Sequence, residues 1–132
     1  MEFEKNIGKS IISSNPKVDL TGVWENQLDS EMTLIMESSG SLSGKYKTAV
    51  GKPSDSEEFD LIGVVTGDLV AFIVNFGKYG SLTSWTGQVV ENSGKQVIQT
   101  LWHLSKNIKD ENEEDEIWGS LLTGAGNFTR TV

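Results

Sequence analysis

The side chains able to do chemistry gather in three short stretches: Gly22–Val23–Trp24–Glu25–Asn26–Gln27–Leu28–Asp29–Ser30, Gly44–Lys45–Tyr46–Lys47–Thr48–Ala49–Val50–Gly51 and Thr83–Ser84–Trp85–Thr86–Gly87–Gln88. Their amides and hydroxyls are donors and acceptors that hold a ligand by hydrogen bonds. Taken singly, Asn26 and Ser30 are ordinary turn and cap residues, Tyr46 is a packed aromatic with its hydroxyl at the surface, and a tryptophan is core. Taken together they say more. Four tryptophans in 132 residues, interleaved on inward-facing phases with Ser, Thr and Asn, describe a dry aromatic box with a few convergent polar groups, which is what a small-ligand pocket needs.

Catalytic chemistry finds little footing. The one histidine is His103; its odd phase in its strand turns it away from the Trp102–Leu104 face, as a surface or interface histidine and not a general base. No nucleophile elbow, HExxH or Gly-rich phosphate loop occurs. There is no cysteine, so disulfides and thiolate metal sites are excluded and the redox compartment stays open. The acidic run Asn107–Ile108–Lys109–Asp110–Glu111–Asn112–Glu113–Glu114–Asp115–Glu116 lacks the Asp/Asn spacing and central Gly of a calcium loop and reads as solvated charge. The expectation is no metal, no cofactor and no enzyme.

The elements that must position these groups are strands. From Leu20 onward, apolar and β-branched runs of strand length alternate with Gly, Ser, Asn and Asp clusters. Strands are predicted over 20–28, 31–38, 41–50, 59–66, 69–77, 83–91, 96–106 and 116–131. Ser38–Ser39–Gly40, Thr66–Gly67–Asp68 and Asn92–Ser93–Gly94–Lys95 carry the chemistry of short hairpin turns. Val70, Phe72, Val74 and Phe76 share one face of their strand, and Ile98, Thr100, Trp102 and Leu104 share one face of theirs. Ile73, Val97 and Leu101, on the opposite faces, are also apolar, so part of the outer surface must be covered by another subunit. The expected fold is all-β: an eight-stranded antiparallel up-and-down β-barrel, which closes its own edges and leaves room for one small ligand.

Length and charge bound the rest. A chain of 132 residues fits one domain, read as a flexible N-terminal arm over 1–18 and a barrel over 19–132. Eleven basic against nineteen acidic residues give a net charge of −8, which argues against nucleic acid or an anionic membrane surface as partner. No run approaches the ~18 apolar residues of a membrane span. Residues 1–10 lack a long apolar h-region, so no signal peptide is visible, and both a cytoplasmic and a processed secreted protein remain open.

Over about residues 20–131 the chain resembles the avidin/streptavidin family. The resemblance implies non-catalytic, high-affinity binding of biotin inside the barrel. It places Asn26, Ser30 and Tyr46 as donors to the ureido oxygen of biotin, Thr48 as acceptor of one ureido N–H, and Thr83 opposite the thioether sulfur. It puts Trp85, Trp102 and Leu104 in the ring box, and Ser81 with the backbone around Val50, Gly51 and Lys52 at the valerate carboxylate. The Lys52 ammonium is placed to supplement those loop N–H groups. Trp118 matches a tryptophan lent by the neighbouring subunit, which implies a homotetramer. The family's dimeric branch typically ties its mouth loop with a disulfide, so the lack of Cys favours the tetramer over a dimer.

Two positions depart from the family pattern. Phe76 stands where another tryptophan is usual and keeps the ring wall with less area. Gly126 stands where the family carries Asp or Asn as acceptor of the second ureido N–H, so weaker biotin binding is expected. In a regular strand Asn127 turns to the opposite face; a β-bulge at Gly124 or Gly126 would bring it inward. The regular strand, with water as substitute acceptor, is the expectation. A β-barrel binding another small ligand or a protein partner remains the alternative reading.

Overall fold

A computed structural model describes residues 14–48, 57–107 and 121–131. The strands are β1 (Gly22–Asn26), β2 (Glu31–Met36), β3 (Ser41–Lys47), β4 (Phe59–Thr66), β5 (Leu69–Phe76), β6 (Ser81–Asn92), β7 (Lys95–Lys106) and β8 (Leu121–Arg130), with a single 3-10 turn η1 (Gly77–Tyr79) between β5 and β6. Each strand pairs antiparallel with the next, and β8 returns to β1, closing the barrel in the order of the chain. The expected all-β, eight-stranded up-and-down barrel is the fold observed.

The differences from the expected boundaries have local causes. The first strand stops at Asn26, not 28, because the Asn26 side chain takes over the turn. The fifth stops at Phe76, where the chain enters η1 and leaves it through Gly80 in the left-handed region, φ 68°. β6 and β7 each gain length around a two-residue turn in which Ser93 and Gly94 both have positive φ, 54° and 80°. That is the backbone twist hairpins prefer. The expected strand ends beyond Lys47 and before Leu121 fall on residues 49–50 and 116–120, which lie outside the described set.

Period-two alternation drives the core inward. On β5, Val70, Phe72 and Val74 are buried, and on β7, Ile98 and Thr100 are. Trp24, Met32, Leu34, Leu42, Leu61 and Phe128 complete the core inside the barrel, with Phe128 also reaching the floor of its open end. Each fully buried side chain of this size contributes about 1.5–3 kcal/mol. Trp24 donates its indole N–H to Leu20 O at 2.9 Å. The Arg130 guanidinium lies 4.5 Å over the same ring while donating to Thr21 O and Gln96 Oε1, so this cation ties the β1/β8 closure together. The described end of the expected arm touches the barrel: Lys17 N–H donates to Gly67 O at 2.9 Å, and Val18 packs against the core.

The outer face is apolar over β4 to β7. Ile62, Val64, Leu69, Ile73, Leu82 and Leu101 are exposed in the single chain.

Candidate functional site

The end of the barrel where β1, β3, β5 and β7 finish is not filled. It holds a cavity of about 440 Å³ whose walls are mostly apolar with polar side chains at one side, lined by Asn26, Gln27, Leu28, Ser30, Tyr46, Thr48, Phe76, Thr83, Trp85, Trp102, Leu104, Lys106, Ala125, Gly126 and Phe128. Size and lining fall in the range of small-molecule sites.

The polar corner begins with the β1–β2 turn. Asn26 Oδ1 accepts the N–H groups of Leu28 (2.9 Å) and Ser30 (3.0 Å). With its oxygen committed to the turn, the carboxamide must present its NH2 elsewhere, and Asn26 lines the cavity. The backbone seals the same loop, Asn26 N–H donating to Ser30 O and Asp29 N–H to Asn26 O. Asp29 closes the turn in the left-handed region, φ 64°. Aspartate tolerates that region less well than glycine. Asp29→Gly is therefore expected to stabilise the folded protein by about 0.5–1 kcal/mol without altering the cavity, a gain that a thermal melt would register as a higher Tm.

Ser30, just before β2, is buried, and its Oγ lies 3.3 Å from Thr48 Oγ1. Tyr46 approaches the same point from the end of β3. Burial raises its hydroxyl above the ordinary phenol range, while hydrogen bonds with Ser30 and Asn26 pull the other way. The hydroxyl is thus a neutral donor throughout the neutral pH range. Asn26, Ser30 and Tyr46, drawn from three different strands or their turns, converge on one corner.

The rest of the box is aromatic. Tyr46 and Trp85 lie 5.1 Å apart between ring centroids, and Phe76 meets Tyr46 edge-on at 6.0 Å. Phe72 stacks under Trp85 at 5.0 Å and belongs to the floor, so Phe76 and not Phe72 forms the cavity wall. Trp24 points inward but sits in the core, not in the cavity. Trp102 lies across β8 at Gly124, its pairing partner, where a Cβ would meet Trp102 Cζ2 at 2.3 Å. Glycine there makes room for the ring.

β8 is regular where it matters. Thr100 faces Gly126 and Gln99 faces Asn127 in an unbroken register from Val97 to Ser105, so no bulge rotates Asn127 inward, and its side chain is exposed. Thr100 Oγ1 donates to Gly126 O at 2.9 Å. Gln27, a residue the strand pattern did not single out, offers no acceptor at Gly126. Gln27 Oε1 accepts Asn127 N–H at 3.3 Å, extending the β1/β8 ladder past the end of β1. That bond orients the carboxamide so that Nε2, a donor, is the atom near Gly126, 3.8 Å from where a Cβ would stand.

The remaining expected positions divide. Thr83 is buried in the cavity wall and Leu104 lines it. Ser81 lines an adjoining cleft at the rim, shared with Lys106 and Asn107. Val50, Gly51, Lys52 and Trp118 lie outside the described residues. His103 is exposed on the outer face, as its phase implied. Among the described residues no group of three or more His, Cys, Asp or Glu is arranged to hold a metal ion.

A statistical description of the Avidin family matches residues 14–131. Avidin of Gallus gallus is 34% identical over 123 residues, spanning 86% of this chain and 79% of that protein. Avidin-related protein 4/5 of Gallus gallus is 33% identical over 121 residues with the same coverage. Among solved structures, Xenavidin superposes with a TM-score of 0.74 at 29% identity, covering 85% of this chain and 97% of that one.

Proposed function

Because the chain belongs to the avidin family, we propose that it is a non-catalytic binding protein for biotin, held inside the open end of the barrel. The observation that carries this reading is the convergence of Asn26, Ser30 and Tyr46 on one corner of an aromatic cavity. Three neutral donors around one point suit a ureido oxygen, whose partial negative charge they strengthen in a low-dielectric site. Thr48, beside Ser30, takes one ureido N–H. The bicyclic rings fill the space between Trp85, Trp102 and Phe76, with Thr83 toward the sulfur and Leu104 toward the tail. At Gly126 the second ureido N–H meets no side-chain acceptor, and a bridging water takes that place.

One observation favours a second reading. The wall beside Gly126 offers the Gln27 Nε2 donor where biotin would present another donor, so a ligand with an acceptor at that point is the competing occupant. Isothermal titration separates the two. Heat with one biotin per chain supports the first reading, and silence at high micromolar biotin rejects it in favour of the second.

The exposed apolar side chains of β4 to β7 support assembly of the chain as a homotetramer. Light scattering is expected to give four times the 14.5 kDa chain mass at micromolar concentration. A monomer mass there would contradict it.

A further inference from the structure

The cavity is neutral along its whole described lining except at one point. Lys106 is the only charged side chain among the described residues that line it. It continues the inward phase of Trp102 and Leu104 two residues further along β7, which brings it to the rim. There it also lines the adjoining cleft, opposite Ser81, its pairing partner on β6. The strand end that carries it is anchored, since Asn107 N–H donates to Gly80 O at 2.7 Å. Among the described residues no carboxylate pairs with Lys106, whereas Glu57, which precedes β4 at the same end of the barrel, is held by Lys78 at 2.6 Å and by the Tyr79 hydroxyl at 2.7 Å. An ammonium with no carboxylate partner among the described residues, at the rim of a cavity whose described lining is otherwise neutral, in a protein of net charge −8, is a local attraction for an anion that the molecule as a whole repels.

We propose that Lys106 is a specificity-determining residue of the site: it receives the ligand's carboxylate at the rim, with the Ser81 hydroxyl beside it, and makes the protein select free carboxylic acids over neutral amides of the same ligand. The proposal rests on the biotin reading above. With the ureido group in the corner of Asn26, Ser30 and Tyr46, the tail of biotin runs past Leu104 toward the rim, and its carboxylate arrives where Lys106 stands. A ligand whose carboxyl has been converted to an amide, as in a biotinylated protein, brings no charge to that point. A surface ion pair alone selects weakly, and a charge-assisted hydrogen bond at a half-enclosed rim selects more strongly; together they set the expected preference at roughly three- to tenfold.

The test is competition titration of biotin and biotinamide on the wild type, Lys106→Met and Lys106→Arg. The ratio of biotin affinity to biotinamide affinity is expected to fall at least threefold in Lys106→Met and to be kept in Lys106→Arg. The wild-type ratio should shrink between 20 mM and 500 mM salt, because the rim charge is screened. A ratio unaltered in Lys106→Met overturns the proposal while leaving biotin binding intact. If neither ligand binds the wild type, the biotin reading itself has failed. Lys106 ends a strand at an exposed position, so loss of the fold is not expected, and circular dichroism of the variants checks it.

Discussion

Tyr46→Phe is expected to weaken biotin binding about tenfold to a hundredfold while the barrel keeps its fold. The ring stays, so its contacts with Trp85 at 5.1 Å and Phe76 at 6.0 Å survive. On the proposed reading, what goes is one of three donors facing the ureido oxygen in a buried corner. Losing such a bond costs ~1.5–3 kcal/mol because the oxygen is left partly unsatisfied away from water. Asn26→Ala is a poorer probe: its Oδ1 also holds the N–H groups of Leu28 and Ser30, so the turn itself would loosen. Titration calorimetry on Tyr46→Phe, with a thermal melt as control, reads the effect directly. Unchanged affinity would mean that the ureido group does not sit in this corner.

Gly126→Asp should strengthen binding by a comparable ~1.5–3 kcal/mol. The backbone at Gly126 is not among the glycines with positive φ. A Cβ there would meet only ordinary contacts, Trp102 Cδ1 at 3.6 Å, Gln27 Nε2 at 3.8 Å and Trp102 Nε1 at 3.8 Å. Two of those atoms are N–H donors, so the new carboxylate is met by them before ligand arrives, and on the proposed reading it then accepts the second ureido N–H. Asn127→Ala should change little, since Asn127 is exposed and its backbone N–H, which reaches Gln27, is retained. Dissociation rates of labelled biotin from the two variants decide the matter. Weaker binding in Gly126→Asp together with loss in Asn127→Ala would place the acceptor at Asn127 and contradict the regular strand.

How much of this was legible from residue order follows from what period-two geometry can and cannot encode. Alternation on Val70–Phe76 and Ile98–Leu104 declared the inward faces, and the glycine-bearing turns declared the meander. Alternation gives direction, not height along the barrel. Height depends on the register between strands, which is why Trp24 faces inward yet belongs to the core, while Trp85 and Trp102 line the cavity. Gln27 and Leu28 escaped because turn residues follow no strand period, and the Gln27 carboxamide is aimed by a backbone N–H one hundred residues away. Lys106 was within reach: carrying the phase of Trp102 and Leu104 one more step arrives at it. The resemblance to a known family supplied the roles proposed for Asn26, Ser30 and Tyr46. Their separate chemistries as cap, turn and packed aromatic would not have assembled them.

On the proposed reading, biotin lies in the open end of the barrel with its ureido oxygen in the corner of Asn26, Ser30 and Tyr46. A crystal structure of the protein grown with saturating biotin tests it most directly. Density is expected in the cavity with the ureido oxygen within hydrogen-bonding distance of Asn26 Nδ2, Ser30 Oγ and Tyr46 Oη, a water opposite Gly126 and the carboxylate beside Lys106. An empty cavity, or a biotin with its carboxylate in that corner, would contradict it.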